Sequence, residues 1–157
     1  QYVALCHGRI SNLPDEEKVW IDRVVVDRSE GKQARVKKGD GVEAVTMLRG
    51  VKQGFFPLVT GENIPILRVD IAPRTGITHQ LRYQLFLRGL PIVNDRTYCT
   101  RASQVLGKLM QAEGSGGHLM LHSGSIRFPW KGGEFFAFCP LPPDMRVVLN
   151  LASIPYV

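Results

Sequence analysis

The 157 residues predict an α+β domain: a mixed, largely antiparallel sheet with a few flanking helices. Three observations carry that expectation. Runs rich in β-branched and aromatic residues recur through the first 72 positions, separated by hairpin-like turns. Segments with apolar residues at helical spacing come only after them. Strands in succession with helices interposed late build antiparallel sheets, not alternating strand and helix layers. The length suits one domain over residues 1–157 with a sizeable core.

Each element has its own justification. Residues 2–6 open the chain on strand-like alternation, and Asn12, Pro14 and Asp15 mark a turn. Residues 18–27 are β-branched and aromatic, hence a strand, and Ser29-Glu30-Gly31-Lys32 is a hairpin turn. Residues 33–38 follow as a basic strand with Arg35 and Lys37 on one face and Lys32 and Lys38 nearby. Cations so placed suit phosphate contacts. They equally suit a solvated edge that discourages strand addition. Gly39-Asp40-Gly41-Val42-Glu43-Ala44 superficially matches a dinucleotide fingerprint. The strand before it is too polar to be buried, and Asp40 would face the pyrophosphate, so a hairpin turn is the better account. Residues 43–50 and 63–72 supply further strands, the second alternating through Ile64, Ile66, Val69 and Ile71.

A turn on Pro73 and Gly76 leads into a helix expected to begin near Thr78, whose hydroxyl would cap it. Gly89 ends that helix and Pro91 blocks its continuation. Leu81, Leu85, Phe86 and Leu87 supply its apolar face. Residues 103–113 read as a second helix through Val105, Leu106, Leu109 and Met110, followed by the loop Gly114-Ser115-Gly116-Gly117. Residues 118–128 and 134–138 read as strands. Pro142-Pro143-Asp144 then opens a final helix, to about residue 151, that packs through Met145, Val148 and Leu149.

Composition narrows the function. Twenty Lys and Arg against fourteen Asp and Glu give +6 and a pI near 9.5. A basic balance favours polyanionic partners, nucleic acid first and an anionic membrane surface second. Cys6, Cys99 and Cys139 are odd in number and far apart, a pattern of reduced thiols in an intracellular compartment. No apolar run approaches a membrane span, and no signal-like segment is present. His118 and His122 would lie ~13 Å apart on a strand, with no cysteine or carboxylate spaced to complete a site. No metal site is therefore expected. The chain has no G-x-S-x-G elbow, no Walker loop and no internal repeat.

One residue is chemically out of place. Arg82 sits in the first turn of its helix between apolar neighbours, where a guanidinium is costly to desolvate unless a carboxylate or phosphate meets it. His79, three residues earlier, shares its face at the positive end of the helix dipole, a place to hold an anion. A surface helix with solvated charges would give the same spacing.

The run Thr75-Gly76-Ile77-Thr78-His79-Gln80-Leu81-Arg82, followed by Gly89-Leu90-Pro91-Ile92, Asn94-Asp95 and Tyr98, resembles the signature of the RluA family of RNA pseudouridine synthases. That signature is close to T-G-R-T-H-Q-[IL]-R, then G-x-P-I-x-G-D and a tyrosine. Ile77 stands where the family has arginine and Asn94 where it has glycine. Tyr2-Val3-Ala4-Leu5 with Gly8 resembles the family's Y-x-A-x-V-x-G strand. Leu121-His122-Ser123, Ile126-Arg127-Phe128 and Phe138-Cys139-Pro140-Leu141-Pro142 resemble its closing segments. The ordered series covers about residues 2 to 149.

The resemblance implies isomerisation of uridine to pseudouridine in RNA, with ribosomal or transfer RNA as the expected partner and neither cofactor nor metal. The oligomeric state is left open, with a monomer as the expectation. The compartment would be the cytoplasm, or the mitochondrion or nucleus of a eukaryote. In the family the nucleophilic aspartate belongs to an H-R-L-D motif upstream of the Y-x-A strand, and no such motif occurs in these 157 residues. A chain opening directly on that strand is expected to be the later two-thirds of a catalytic domain, inactive alone. Arg82 matches the arginine that pairs with the aspartate, Tyr2 the tyrosine that packs on the target base, and Leu81 the apolar residue beside it. His79, Thr78 and Gln80 are expected to hold the turn and helix start, and Asp95 to fix a loop. Arg35 and Lys37 are the candidate RNA-backbone contacts. A non-catalytic relative that binds RNA, such as a ribosome-assembly factor, stays open because Ile77 and Asn94 depart from the pattern. H-R-L-D or its replacement ahead of Gln1 would separate the two.

Overall fold

The computed structural model describes residues 1–13, 18–28 and 34–156. The expected turns at Pro14-Asp15 and Ser29–Lys32, and with them Lys32, lie outside the described residues. Among the described residues, eight strands and three α-helices run in the order β1 Tyr2–His7, β2 Val19–Asp27, β3 Arg35–Lys38, β4 Val42–Pro57, β5 Asn63–Pro73, α1 Gln80–Leu87, α2 Arg101–Ala112, β6 Leu121–Ser123, β7 Ser125–Trp130, β8 Gly133–Phe138 and α3 Pro143–Leu151. Six strands form one sheet in the order β3-β2-β4-β5-β1-β6, and β7 pairs with β8 in a separate hairpin. Every described ladder is antiparallel, so the α+β class is as expected and the sheet is more uniform than a mixed one.

Two departures have local causes. β4 runs 16 residues, past Gly50 where the strand was expected to stop, because a register shift between Leu48 and Gly50 absorbs the irregularity. Its Gly54 marks a close approach: a Cβ there would collide with the carbonyl oxygen of Ala152, just past α3, which instead accepts from the Phe55 amide at 3.2 Å. The strand expected over residues 118–128 is two, β6 in the main sheet and β7 in the hairpin. At the break the carbonyl of Gln1 accepts from the amides of Gly124 (3.0 Å) and Ser125 (3.3 Å), so the chain leaves the sheet there.

β5 buries Ile66, Leu67, Val69 and Ile71, and β1 buries Ala4, Leu5 and Cys6. Leu85 of α1, Met110 of α2 and Leu149 of α3 complete the main core. A smaller cluster of Val24, Val36, Ala44, Tyr83 and Tyr98 packs α1 near the β2–β3 edge. No described helix is long and apolar enough to cross a membrane.

Candidate active site

Helix α1 begins two residues later than expected, and glutamine organises its start. His79 occupies the N-cap position with φ 55°, and no side chain caps the helix there. Thr78 therefore does not cap it. Thr75 Oγ1 accepts from the Val45 amide (2.9 Å) and donates to Gln80 Oε1 (2.8 Å), which also accepts from the Ile77 amide (3.2 Å). Gln80 Nε2 donates to the Val45 carbonyl (3.0 Å) and Thr46 Oγ1 (2.9 Å). One turn on, buried Gln84 accepts from Thr46 Oγ1 (2.6 Å) and donates to Asp22 (2.7 Å) and the Ala44 carbonyl (3.0 Å). A further turn on, Arg88 reaches Asp22 at 3.0 Å. Residues four apart share a helix face, so this polar ladder fixes α1 to β4 and β2. Buried amides left without partners would cost about 1–3 kcal/mol each, which makes the register specific. Gln80 thus ties the start of α1 to Thr75, Ile77 and β4. The helix closes as predicted: Gly89 has φ 68°, its amide donates to the Phe86 carbonyl, and the Leu90 amide donates to that of Leu85.

Arg82 meets its anion inside the chain. Nε donates to Asp95 Oδ2 and Nη2 to Oδ1, each at 2.7 Å, with 15% of the Arg82 side chain exposed and none of Asp95's. Among the described residues the carboxylate that meets Arg82 is Asp95, the residue expected to fix a loop. The turn after Gly89 brings Asp95 back beneath the helix. Asp95 Oδ1 also accepts from the amides of Thr97 (2.8 Å) and Tyr98 (2.9 Å), fixing the loop. Burial pushes this carboxyl up, but hydrogen bonds from Arg82, Tyr98 and Thr97 outweigh it and hold the group below its ordinary value. The Asp95 hydrogen bond raises Arg82. Tyr98 completes the group. Its hydroxyl accepts from the Val36 amide (2.7 Å) and lies 3.2 Å from His79 Nδ1, and its ring centroid is 5.2 Å from the Arg82 guanidinium carbon. Burial and Arg82 both lower the pKa of His79.

The open site lies elsewhere. A cleft of about 900 Å³ is bounded by β1, β5, the β7–β8 hairpin and the residues around α3. Tyr2 lines it, in register with Ile71 and Ser123. Arg49, Arg68, Arg74, Arg127 and Arg146 converge on it, against the single carboxylate Asp70. Arg68 is held by Asp70 (2.9 Å) and the Pro155 carbonyl (3.2 Å), and Arg127 by Glu134 (3.1 Å). Arg49, Arg74 and Arg146 form no ion pair among the described residues. Phe136, Phe138 and Tyr156 add aromatic faces, and His122 sits on the wall with Nε2 3.0 Å from the Cys139 carbonyl. Concentrated positive charge with aromatic surface matches a nucleic-acid strand, phosphates to the guanidiniums and bases to the rings.

The structure separates residues that the sequence grouped. Tyr2 lines the cleft and Arg82 does not. Leu81 is 7% exposed and belongs to the packed core, not to the cleft wall. Arg35 and Lys37 lie on β3, the edge strand remote from β1, and Lys37 faces Asp27 at 3.7 Å. No local motif marks the cleft arginines, because they are scattered from Arg49 to Arg146 along the sequence. The one local signal was Arg68-x-Asp70, two polar residues on one face of an otherwise apolar strand.

No family model matches the chain. The curated relatives it is similar to are RNA pseudouridine synthases. The chain is 26% identical over 145 residues to an uncharacterized RNA pseudouridine synthase of Helicobacter pylori strain J99, covering 90% of this chain and 46% of that protein. It is 28% identical over 155 residues to ribosomal large subunit pseudouridine synthase C of Buchnera aphidicola, covering 96% and 44%. The chain thus spans about half the length of the curated relatives it matches. Human RNA pseudouridylate synthase domain containing 1 shares the fold, with a TM-score of 0.57 and 22% identity over 98% of this chain and 65% of that one.

Proposed function

We propose that the chain is the RNA-engaging part of a catalytic domain of the RluA type, which isomerises uridine to pseudouridine in ribosomal or transfer RNA. The cleft carries this reading: five arginines and Tyr2 line one opening with a single carboxylate among them. The reaction breaks the N1–C1′ bond, turns the base and joins C5 to C1′, releasing the C5 hydrogen. It needs a base lifted out of its stack and a carboxylate beside the sugar. The arginines hold phosphates on either side of the lifted nucleotide, and the Tyr2 ring offers the base a face. The resemblance assigns the nucleophile to an H-R-L-D aspartate, which is not among these residues. Tritium release from 5-tritiated uridine RNA tests the proposal: the parent protein releases label and residues 1–157 alone do not. Release by the 157 residues would place the nucleophile among their own carboxylates, Asp70 first.

One observation favours a second reading, a non-catalytic RNA-binding relative. Asp95 already fills the carboxylate-binding fork of Arg82, the residue matched to the nucleophile's partner. RNA binding by a parent protein that releases no tritium from any ribosomal or transfer RNA would select it.

A further inference from the structure

The β7–β8 hairpin has two unlike faces. Residues opposite one another across an antiparallel pair share a face, so Arg127 with Phe136 and Ser125 with Phe138 look into the cleft. The other face carries Ile126, Phe128, Phe135 and Trp130, paired with Ala137, Phe135, Phe128 and Gly133 respectively. It is apolar and open: Ile126 is 54%, Phe128 37%, Phe135 43% and Trp130 57% exposed. The Phe128 and Phe135 rings sit 4.9 Å apart at 32°, and Trp130 stands at 85° to Phe128 with centroids 6.2 Å apart. Together they form a corner of flat rings. Lys131 at the hairpin tip lies 5.7 Å from the Trp130 centroid and forms no ion pair among the described residues. The hairpin's only acid, Glu134, is taken by Arg127 at 3.1 Å.

Resting on the RNA reading above, we infer that this outward face is a second RNA contact, a stacking platform for one or two unpaired bases next to the nucleotide in the cleft. Rings with an adjacent free cation match a base and its phosphate, since every base has a π-face and stacking on aromatics is tolerant of sequence. The occupant is an unpaired strand. A duplex keeps its bases stacked on each other and cannot offer them to the corner. Because the hairpin's other face lines the cleft, a strand leaving the cleft passes over the tip.

The two tryptophans make the test direct, since Trp20 is fully buried and Trp130 is exposed. The chain is titrated with a fluorescein-labelled, uridine-rich single strand and with the same sequence in a duplex, following Trp130 emission and label anisotropy. Single strand quenches Trp130. Trp130→Ala and Phe128→Ala each weaken single-strand binding about tenfold and leave duplex binding unchanged. Trp130→Phe, which keeps a ring, stays within about twofold of the parent. Unaltered affinity in Trp130→Ala overturns the platform. If Arg49→Ala with Arg146→Ala abolishes binding while the hairpin variants bind normally, the cleft reading stands and the platform falls. An unaltered chain that binds no RNA removes both. A changed oligomeric state in Trp130→Ala with intact RNA affinity assigns the face to a protein contact and also overturns the platform.

Discussion

Two groups of arginines in this molecule differ in what already answers them. Around α1, Arg82 and Arg88 are each closed by a carboxylate, Asp95 and Asp22, and are mostly buried. In the cleft, Arg49, Arg74 and Arg146 are exposed and form no ion pair among the described residues. A charge satisfied inside the chain holds structure. One left open to solvent is available to a polyanion. The conspicuous motif and the open site are therefore different places here, and the motif's arginine is a fastening of the loop that carries Asp95 and Tyr98.

The sharpest way to break that contrast is to remove one carboxylate from each region. Asp95→Ala leaves a largely buried guanidinium unpaired and is expected to cost about 3–5 kcal/mol in urea denaturation. Asp70→Ala, whose ion pair is partly exposed, is expected to cost about 1 kcal/mol or less. Equal costs would dissolve the distinction.

Acid stability sharpens it further. The Asp95 carboxyl lies below its ordinary value in the fold, so the unfolded chain takes up the proton first as pH falls. The pair's contribution is whole above the unfolded value of about 4 and is lost as pH drops through the lower folded value. Asp95→Asn is expected to flatten stability against pH below about pH 4, measured by denaturation at fixed temperature.

RNA binding should respond in the opposite pattern. Arg49→Ala with Arg146→Ala is expected to lower the slope of log affinity against log salt by about 2, with denaturation midpoints unchanged. The smallest effect belongs to Arg35→Ala with Lys37→Ala on the remote edge strand, where the slope is expected to change by less than about 1. A larger change there would extend the RNA path across the sheet and restore these residues as backbone contacts.

Much of the local structure was legible in the residues. The Gly89 terminus of α1 and the alternating strand β5 depend on side-chain periodicity and backbone freedom within a few positions. The start of α1 was misplaced because its amides are answered by Gln80 and Thr75 across a contact with β4, not by the adjacent Thr78. β4 was cut short for a similar reason. Gly50 and Gly54 weaken a strand when seen alone, yet Gly54 is what lets the chain after α3 lie against it. Leu81 packs in the main core cluster, a contact its sequence position does not reveal, since apolar character alone does not say which apolar surface a side chain meets.

By itself the sequence determined the class of fold, the end of the central helix, the basic balance and the resemblance to RNA pseudouridine synthases, all set by local pattern or composition. It also required that Arg82 have an anion, because desolvating a lone guanidinium is too costly. Only the tertiary structure decided which anion answered it and which arginines remained open. Ion pairing is fixed by distance in space, and the loop that returns Asp95 to Arg82 and the sheet that gathers five arginines at Tyr2 join positions far apart along the chain.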